Sequence, residues 1–546
     1  MEFIMDMVHH NPGEQPFETS FLNPVKLKEY GYNAQVFKHI NTAITFKKYD
    51  KHLFDVEPDA LEWIMSLKKN ILVEIQKAKS VGLKVYYHID LFVLPKVLYE
   101  KYKDEICDQE GKISIKKKKT LEIHRALIDE IFEEFPIDGL IIRVGETYLH
   151  DTPYHIGNGA IKYNDIKSEK DEFVTLLDFL RSEVCVRHNK YVFFRTWDCF
   201  PDRFHANLDY YLSVTDRIEA HPNLIFSIKH TALDFWRRVK FNECLCRGKH
   251  RQIVEVQCQR EYEGKGAYPM YVMNGVINSF YENKVPMGLR DIADNSLICG
   301  IYTWSRGGGW YGPYPKNEFW CDLNTYVISK YASDTSITEE EIFYDYAMNK
   351  MGMSEKDSRI WRELCLTANM AVLRGRYIEC FDITLNESIM PCANYMRDDR
   401  IAGLRHLKGV FEYLYSNDLL NEAIIEKKES CLLWQEVKSL FEMISIPDKE
   451  LSEFIKISID YGLLLYNAVY AAWEVMAAGF TYVKDGALNG NELKNAIRKF
   501  DIAWTEYCAL SNNKYSSSLY KDEYLNCPGI RETVEYFREQ IRRSNI

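Results

Sequence analysis

Apolar residues in the first part of the chain occur in short runs that alternate with segments of helical periodicity. The helical segments include Asp59–Ser80 and Leu121–Phe135. The apolar runs are rich in Val, Ile, Phe and Tyr, which is typical of strands. Eight such runs can be marked, namely Phe3–His9, Gln35–Phe46, Lys84–Leu94, Gly139–Glu146, Tyr191–Trp197, Leu224–Lys229, Gln252–Glu261 and Leu297–Trp304. This alternation predicts an α/β fold, a (β/α)8 TIM barrel, over residues 1–335.

The pattern changes at about Ser336, where strand-like runs stop and helical periodicity continues to the end of the chain. Helical segments there include Trp361–Cys380 and Lys449–Ala478. The most apolar of them has only thirteen uncharged residues between Asp460 and Glu474, fewer than the roughly 20 that span a bilayer. The sequence therefore predicts an all-α C-terminal domain over residues 336–546, with buried helices and no membrane partner.

Charge and cysteine content narrow the class of protein. The chain has 69 basic and 80 acidic residues, a net charge of −11 and only short charge runs, so we do not expect a nucleic acid partner. Its 14 Cys include no Cys-x-x-Cys pair, which favours reduced thiols. The first residues, MEFIMDMVHH, lack the basic and apolar regions of a secretory signal. Both observations predict a cytoplasmic protein.

Three acidic residues, Glu146, Asp234 and Glu261, lie where strand-like runs end. In a (β/α)8 barrel, the C-terminal ends of the strands and the loops that follow them form the reactive face. Cleavage of a glycosidic bond needs one carboxylic acid that protonates the leaving oxygen and one carboxylate that attacks the sugar or activates water. The three acids therefore indicate a glycoside hydrolase.

Glu146 is the candidate general acid. It follows the apolar run that begins after Asp138, and we expect it to be buried. An apolar environment favours the protonated form of a carboxyl group, which is the form that donates a proton. The alternative is a carboxylate at the rim of the barrel that forms a surface salt bridge.

The seventh run carries four polar residues of one parity, Glu255, Gln257, Gln259 and Glu261, which places them on one face of a strand. Such side chains either hydrogen-bond one another inside the barrel or meet a hydroxylated ligand. The first interpretation suits Glu255 and the second suits Glu261. For Asp234, the alternative to a catalytic role is the N-cap of a helix.

Arg195 and Lys229 end the fifth and sixth runs, on the same predicted face as the acids. Arg can hold a carboxylate with two hydrogen bonds and Lys adds a point charge, so a uronic acid fits better than a neutral sugar. The alternative is that both cations pair with acids of the site itself. After the eighth run, Trp304, Trp310 and Tyr311 are candidate walls for stacking on sugar rings.

Three segments resemble successive strand ends of family 67 glycoside hydrolases, the α-glucuronidases. The segments are Phe194-Arg195-Thr-Trp-Asp-Cys199, Ile228-Lys229-His-Thr-Ala-Leu-Asp234-Phe235 and Val254-Glu-Val-Gln-Cys-Gln-Arg-Glu261-Tyr-Glu-Gly264. The segment from Asp138 to Glu146 resembles the fourth strand of that family. The similarity covers roughly residues 1–350 and is strongest from 190 to 264.

The resemblance implies a mechanism. Glu146 would be the general acid, Asp234 and Glu261 would activate water, and Arg195 and Lys229 would hold the uronate. The enzyme would release α-linked glucuronic acid, or its 4-O-methyl ether, from the ends of xylan-derived acidic oligosaccharides with inversion and without a cofactor. Which of the two water-activating acids is the base stays open. Family members carry a helical C-terminal domain that often serves in dimerisation, which allows a homodimer.

The sequence departs from the family in three places. The β-rich domain that precedes the barrel in that family is not expected here, His9-His10-Asn11 lacks the tryptophan of its first strand, and the fourth strand is one residue shorter before its Glu. Arg143 stands where the family has Lys, and its parity on a strand is opposite to that of Glu146. Arg143 is a further candidate for substrate binding. A neighbouring family that acts on another acidic sugar is therefore an alternative.

Two other classes of protein compete with this interpretation. His9, His10, His88 and Asp90 could form the centre of a metal-dependent hydrolase. Adjacent histidines on one strand face opposite sides, however, so we expect no metal. A sugar-binding barrel without catalysis is the second competitor, and the presence of all three acids argues against it.

Overall fold

Eight parallel strands and the helices between them form the N-terminal part of the molecule. The computed structural model describes residues 1–10, 17–200, 202–309, 317–384, 401–485, 490–512 and 529–544. Its strands are β1 (Phe3–His9), β2 (Ala34–Lys38), β3 (Lys84–Asp90), β4 (Val93–Pro95), β5 (Gly139–Arg143), β6 (His155–Gly157), β7 (Tyr191–Arg195), β8 (Leu224–Lys229), β9 (Arg251–Gln257) and β10 (Ile298–Gly307). The order around the closed barrel is β1, β10, β9, β8, β7, β5, β3, β2, and β4 pairs with β6 outside it. The prediction of a (β/α)8 barrel is confirmed.

Helices surround the barrel and make up the C-terminal region. They are α1 (Pro24–Tyr30), α2 (Pro58–Ser80), α3 (Lys96–Ile106), α4 (Lys118–Glu134), α5 (Ile166–Leu180), α6 (Leu208–Thr215), α7 (Met273–Asn278), α8 (Phe319–Ser333), α9 (Glu339–Asp345), α10 (Glu355–Arg376), α11 (Glu379–Thr384), α12 (Leu404–Ser416), α13 (Leu420–Glu442), α14 (Lys449–Lys484), α15 (Gly490–Cys508) and α16 (Ile530–Ser544). The described residues after α8 contain no strand, so the all-α C-terminal region is confirmed. The domain boundary at residue 336 stays a prediction.

Some strands end earlier than the apolar pattern predicts. The predicted strand Gln35–Phe46 stops at Lys38, and the chain continues into a short 3-10 helix, Ile40–Ala43. The residues beyond the strand remain apolar because they are buried, and Ile44 is fully inaccessible. A buried loop has the same composition as a buried strand, so hydrophobicity alone does not mark the end of the strand.

The interior of the barrel changes from apolar to charged along the strands. At the N-terminal ends, the rings of Phe3, Tyr86 and Phe193 pack edge to face, with centroids 5.0 to 6.5 Å apart. Alternate residues of each strand face the interior, so Arg195 points into the barrel two residues after Phe193. There it meets Glu255 of β9. The strands therefore bring charged side chains together towards their C-terminal ends.

The C-terminal helices pack against loops at the mouth of the barrel. Tyr377, which follows α10, accepts a hydrogen bond from the Arg237 amide at 2.8 Å and donates to Glu263 at 3.2 Å. The hydroxyl groups of Tyr268 and Tyr466 are 2.9 Å apart. Arg237 lies in the loop after β8, and Glu263 and Tyr268 lie in the loop after β9. The helical region thus supports the two loops that carry Asp234 and Glu261.

Helix α14 is, by length and composition alone, the one helix among the described residues that could cross a membrane. However, 67% of its most apolar window is buried within the structure. Its N-terminal half contacts the barrel side of the molecule, where the indole of Trp320 donates to the Ser458 hydroxyl at 3.2 Å. The helix is therefore mostly buried, as the sequence predicts.

We expect the stability of the fold to depend on pH through Asp6. This buried carboxylate accepts hydrogen bonds from Thr303 and Ser305, yet burial raises its pKa from 3.8 to about 6. Between these two pH values the folded state retains a proton that the unfolded state has lost, so stability falls as pH rises, by about 3 kcal/mol. The measured quantity is the free energy of unfolding of the wild type minus that of Asp6→Asn. This difference should decrease as the pH is raised from 4 to 7. Asp104→Asn, at an exposed site, is the control, and a constant difference for Asp6→Asn would contradict the expectation.

Candidate active site

The three predicted catalytic acids lie at the same end of the barrel. Glu146 follows β5, Asp234 follows β8 and Glu261 follows β9. All barrel strands are parallel, so the loops that follow them lie at their C-terminal face. Glu146 and Glu261, which are more than a hundred residues apart in the sequence, are thus brought to one mouth together with Asp234.

Asp234 is held by three hydrogen bonds. Its carboxylate accepts from Lys229 Nζ at 2.6 Å, from the Tyr262 hydroxyl at 2.7 Å and from the Phe235 amide at 3.0 Å. No helix begins at Asp234, so the interpretation as an N-cap is wrong. Asp234 lies in the loop after β8, and Tyr262 lies in the loop after β9. The Asp234 carboxylate therefore connects these two neighbouring loops.

The charge of Lys229 keeps Asp234 ionised. Burial on its own raises the pKa of the Asp234 carboxyl, but the attraction of Lys229 and the three hydrogen bonds outweigh it and hold the pKa below its ordinary value. Asp234 is therefore a carboxylate at neutral pH, and its three hydrogen-bond donors make it a weak base.

Glu146 lies close to Tyr148. Burial, and then the negative charge of Glu146 and a hydrogen bond to it, raise the pKa of Tyr148 well above its ordinary range. The pKa of the Cys199 thiol is raised by burial and then by the negative charge of Glu146, and it is lowered by the positive charge of Lys229. Glu146 is partly exposed. The expectation that it is buried is wrong, because β5 ends before it, at Arg143.

Glu261 is buried in the loop after β9. Its backbone amide donates to Gln257 Oε1 at 3.0 Å, which folds the loop back onto the end of the strand. The strand ends at Gln257, so the alternation of side chains that predicted one polar face does not extend to Glu261. Its negative charge, like that of Glu146, contributes to the raised pKa of Tyr148.

The three predicted substrate-binding cations all have acidic partners. Arg195 forms two hydrogen bonds of 2.8 Å with Glu255, and the two side chains are 2% and 0% exposed. The prediction of an interior supporting role for Glu255 is confirmed. Arg143 binds Asp90 of the neighbouring strand through two hydrogen bonds of 2.5 Å, and Lys229 binds Asp234. The structure therefore shows the internal pairing that the sequence left as an alternative to anion binding.

Aromatic side chains line the same mouth. Lys229 Nζ lies 3.6 Å from the ring centroid of Trp197 and 5.6 Å from that of Trp304. Trp304 is buried, and its indole N–H has no hydrogen-bond partner among the described residues. The other two predicted stacking residues, Trp310 and Tyr311, lie outside the described residues.

Sequence reasoning did not single out Trp197, Tyr148, Tyr262 or Lys38. Lys38 ends β2 and contacts His9 Nδ1 and the His10 carbonyl oxygen, both at 3.1 Å. None of the four belongs to a recognisable catalytic pair in sequence. The only available signal was their position at or just after the end of a strand, and the same signal marks many residues without a catalytic role.

The predicted rival metal site is not assembled by these residues. The ring of His9 stacks on Trp304, with centroids 4.5 Å apart, and Asp90 is bound by Arg143. Arg195 Nη1 lies 3.4 Å from His88 Nε2, where a second cation would be repelled. Within the described part of the chain, no group of three or more His, Cys, Asp or Glu side chains could hold a metal ion.

A cavity of about 800 Å³ lies beside the loop that carries Glu146, next to Gly145 and Thr147. Most of the charged side chains that line this cavity form ion pairs with one another. Lys116 contacts Glu172 at 3.0 Å, and Lys162 contacts Glu110 at 2.6 Å. The charges there balance within the protein, so this cavity does not favour an anionic ligand.

Comparisons with known proteins agree with the fold. No protein-family model and no curated protein matches the chain. Among solved structures, a family 138 glycoside hydrolase that targets pectin rhamnogalacturonan II has a TM-score of 0.59 and 12% identity, over 100% of this chain and 85% of its own. A mutant O-GlcNAc hydrolase of Thermobaculum terrenum has a TM-score of 0.39 and 12% identity, over 100% and 94% of the two chains.

A third similar structure is a family 115 4-O-methyl-α-glucuronidase with specificity for decorated arabinogalactans, with a TM-score of 0.40 and 9% identity, over 84% and 52% of the two chains. All three are glycoside hydrolases. Of the three, only the family 138 enzyme has a TM-score above 0.5, and at 12% identity its similarity concerns the fold alone. The chain therefore shares the fold of that enzyme, and its barrel carries carboxylates in the loops at the C-terminal mouth. The resemblance to family 67 stays a prediction.

Proposed function

We propose that this protein is a glycoside hydrolase that removes a terminal α-linked glucuronic acid, or 4-O-methylglucuronic acid, from oligosaccharides such as those derived from xylan, with inversion. The observation that carries the proposal is the position of Glu146, Asp234 and Glu261 in the loops that follow three parallel barrel strands, at one mouth of the barrel. Fold alone does not assign a function, and it is the chemistry of this site that supports glycoside hydrolysis.

Hydrolysis with inversion takes one step. The oxygen of a water molecule attacks the anomeric carbon while the bond between that carbon and the leaving oxygen breaks. The leaving oxygen takes the proton of Glu146, and the attacking water gives a proton to a carboxylate on the opposite side of the sugar. The two carboxyl groups should then be about 6.5–9.5 Å apart, since the water needs room between the base and the sugar.

Glu261 is the better candidate for the base. Asp234 already accepts hydrogen bonds from Lys229, Tyr262 and the Phe235 amide, and its pKa is held low by Lys229 against the effect of burial. A carboxylate with these partners orients water well but binds a proton weakly. We assign water orientation to Asp234 and proton acceptance to Glu261.

Donors at the mouth support an acidic sugar as the substrate. Lys229 gives one of its three N–H groups to Asp234, which leaves two for a ligand. Arg143 Nη1 and Trp304 Nε1 are buried and have no partner among the described residues. A carboxylate and hydroxyl oxygens would satisfy these donors. Arg195, whose fork is occupied by Glu255, would act through its charge and would not contact the substrate.

Arg195, Arg143 and Lys229 are already paired with acids of the protein, and such a site also suits a substrate with less negative charge. The proposal is therefore tested with a panel of acidic and neutral oligosaccharides. The wild-type protein is incubated with oligosaccharides that end in α-linked glucuronic acid, 4-O-methylglucuronic acid, galacturonic acid or neutral sugars. Released monosaccharide is followed by NMR, which also gives its anomeric form. We expect release of the uronic acid as its β-anomer. Release as the α-anomer would exclude the water-activating roles, and binding without release would indicate a sugar-binding protein.

We expect Glu261→Ala to lower kcat by about 10³-fold or more, because proton transfer to a positioned base contributes about 10²- to 10⁴-fold. Azide attacks without losing a proton, so it should restore turnover of Glu261→Ala and yield a β-glycosyl azide. Asp234→Asn should lower kcat less and respond weakly to azide. The measurement is kcat with and without azide for both variants. The opposite ranking would make Asp234 the base.

A further inference from the structure

Gln257, the last residue of β9, is fully buried beside Glu261. Its carboxamide is orientated by one contact, the 3.0 Å hydrogen bond that its Oε1 accepts from the Glu261 amide. A backbone N–H can only donate, so the atom opposite it must be the oxygen, and the nitrogen points the other way. That nitrogen, Gln257 Nε2, has no hydrogen-bond partner among the described residues.

Gly308 packs closely against the side chains of Gln257 and Glu261. This glycine has φ +100°, and a Cβ at its position would lie 2.7 Å from Gln257 Nε2 and 3.2 Å from Glu261 Oε2. The amide nitrogen and the carboxylate oxygen therefore both lie near one point and are close enough to each other to share a bridging water, and only a residue without a side chain fits at position 308. A buried N–H group without a partner costs about 1–3 kcal/mol, so a partner supplied by solvent or substrate is expected there.

We propose that Gln257 is a positioning residue that holds the attacking water for Glu261. This inference rests on the proposed hydrolase function and adds a group to its mechanism. Gln257 Nε2 donates to one lone pair of the water oxygen, while one water hydrogen points to Glu261. The second lone pair then faces the sugar.

The chemistry of the step is complete with these groups. The water oxygen forms a bond to the anomeric carbon, one water proton passes to Glu261, and the glycosidic oxygen leaves with the proton of Glu146. Gln257 neither gains nor loses a proton, because its amide only holds the oxygen in place. Misplacing a reacting group by about 1 Å can cost about 10²-fold in rate, so the loss of this hydrogen bond should appear in kcat.

Two variants test the proposal from different directions. Gln257→Met removes the donor at nearly constant volume, and Gly308→Ala keeps the donor but pushes a methyl group against Gln257 Nε2 and Glu261 Oε2. Each has a matched control. Gln35→Met removes another buried amide, on the outer face of β2, and Gly82→Ala places a side chain at φ +79° with no atom within 4 Å.

We expect Gln257→Met and Gly308→Ala each to lower kcat about 10- to 100-fold on the most active substrate of the panel, with KM changed less than about threefold. The two controls should keep the wild-type kcat. An equal loss in the controls, or an unchanged kcat in both test variants, would overturn the proposal. A rise in KM at constant kcat would also overturn it, because it would show that Gln257 binds a hydroxyl group of the substrate.

A crystal structure keeps this test separate from that of the hydrolase function. In the wild-type protein we expect a water within hydrogen-bonding distance of Gln257 Nε2 and a Glu261 carboxylate oxygen, and we expect it to be missing in Gln257→Met and Gly308→Ala. If the wild-type protein cleaves nothing in the panel, the hydrolase function fails although this water is found. If it cleaves a substrate and the water is not found, only the role of Gln257 fails.

Discussion

Replacement of Glu146 by Gln should abolish the turnover of natural acidic oligosaccharides, with kcat/KM lower by about 10³-fold or more. The sugar alkoxide that leaves in the natural reaction is a poor leaving group and needs a proton from Glu146 as the bond breaks. A 4-nitrophenyl glycoside of the same uronic acid leaves without that proton. On this activated substrate Glu146→Gln should lose less than about tenfold. The measurement is kcat/KM for both substrates with wild type and variant.

The control for this prediction lies in the same loop. Asp151 also follows β5, its side chain is 90% exposed, and we give it no role in the reaction. Asp151→Asn should therefore retain wild-type rates on both substrates. An equal loss of activity by Glu146→Gln on the natural and the activated substrate would contradict the role of general acid. It would point to a role in substrate binding.

Replacement of Glu255 by Gln should destabilise the protein by about 3–5 kcal/mol. The variant leaves the guanidinium of Arg195 buried in the barrel without its carboxylate, and an uncompensated charge in that position is costly. Urea denaturation of wild type and variant at neutral pH gives the difference in the free energy of unfolding. The midpoint concentration should fall at an unchanged slope.

Two comparisons make the result specific. Asp171→Asn breaks the half-exposed pair of Arg217 and Asp171, with 47% and 49% exposed side chains, and should cost less than about 1 kcal/mol. The double variant Arg195→Met, Glu255→Leu removes both charges and should recover most of the lost stability. A similar cost for Glu255→Gln and Asp171→Asn would mean that solvent reaches the interior pair.

The barrel could be predicted from the sequence because the pattern of apolar residues that marks each strand or helix involves only near neighbours in the chain. The side chains of the runs Phe3–His9 and Leu224–Lys229 are buried on both faces of the sheet, and these runs coincide with β1 and β8. Helix starts were equally local. The hydroxyl of Thr338 accepts a hydrogen bond from the Glu341 amide at 3.2 Å, and the Glu341 carboxylate accepts one from the Thr338 amide at 2.8 Å.

The ends of β2, β5 and β9 were misjudged because the loops after them are also buried or apolar. This error changed the environment of the candidate acids. Glu146 is partly exposed, and the side-chain alternation that was extended to Glu261 stops at Gln257. A strand ends where its hydrogen bonds to the neighbouring strand end, and such bonds depend on residues distant in the chain.

The sequence by itself therefore determines the order of the strands, the acids that follow them and the excess of negative charge, since each depends on residue type and near neighbours. It does not determine which charged groups pair with each other. Arg195 with Glu255, and Arg143 with Asp90, are contacts across the barrel or between strands. They form because burying a charge is costly unless it is paired with an opposite charge or hydrogen-bonded, and the closed barrel determines which partner is close enough.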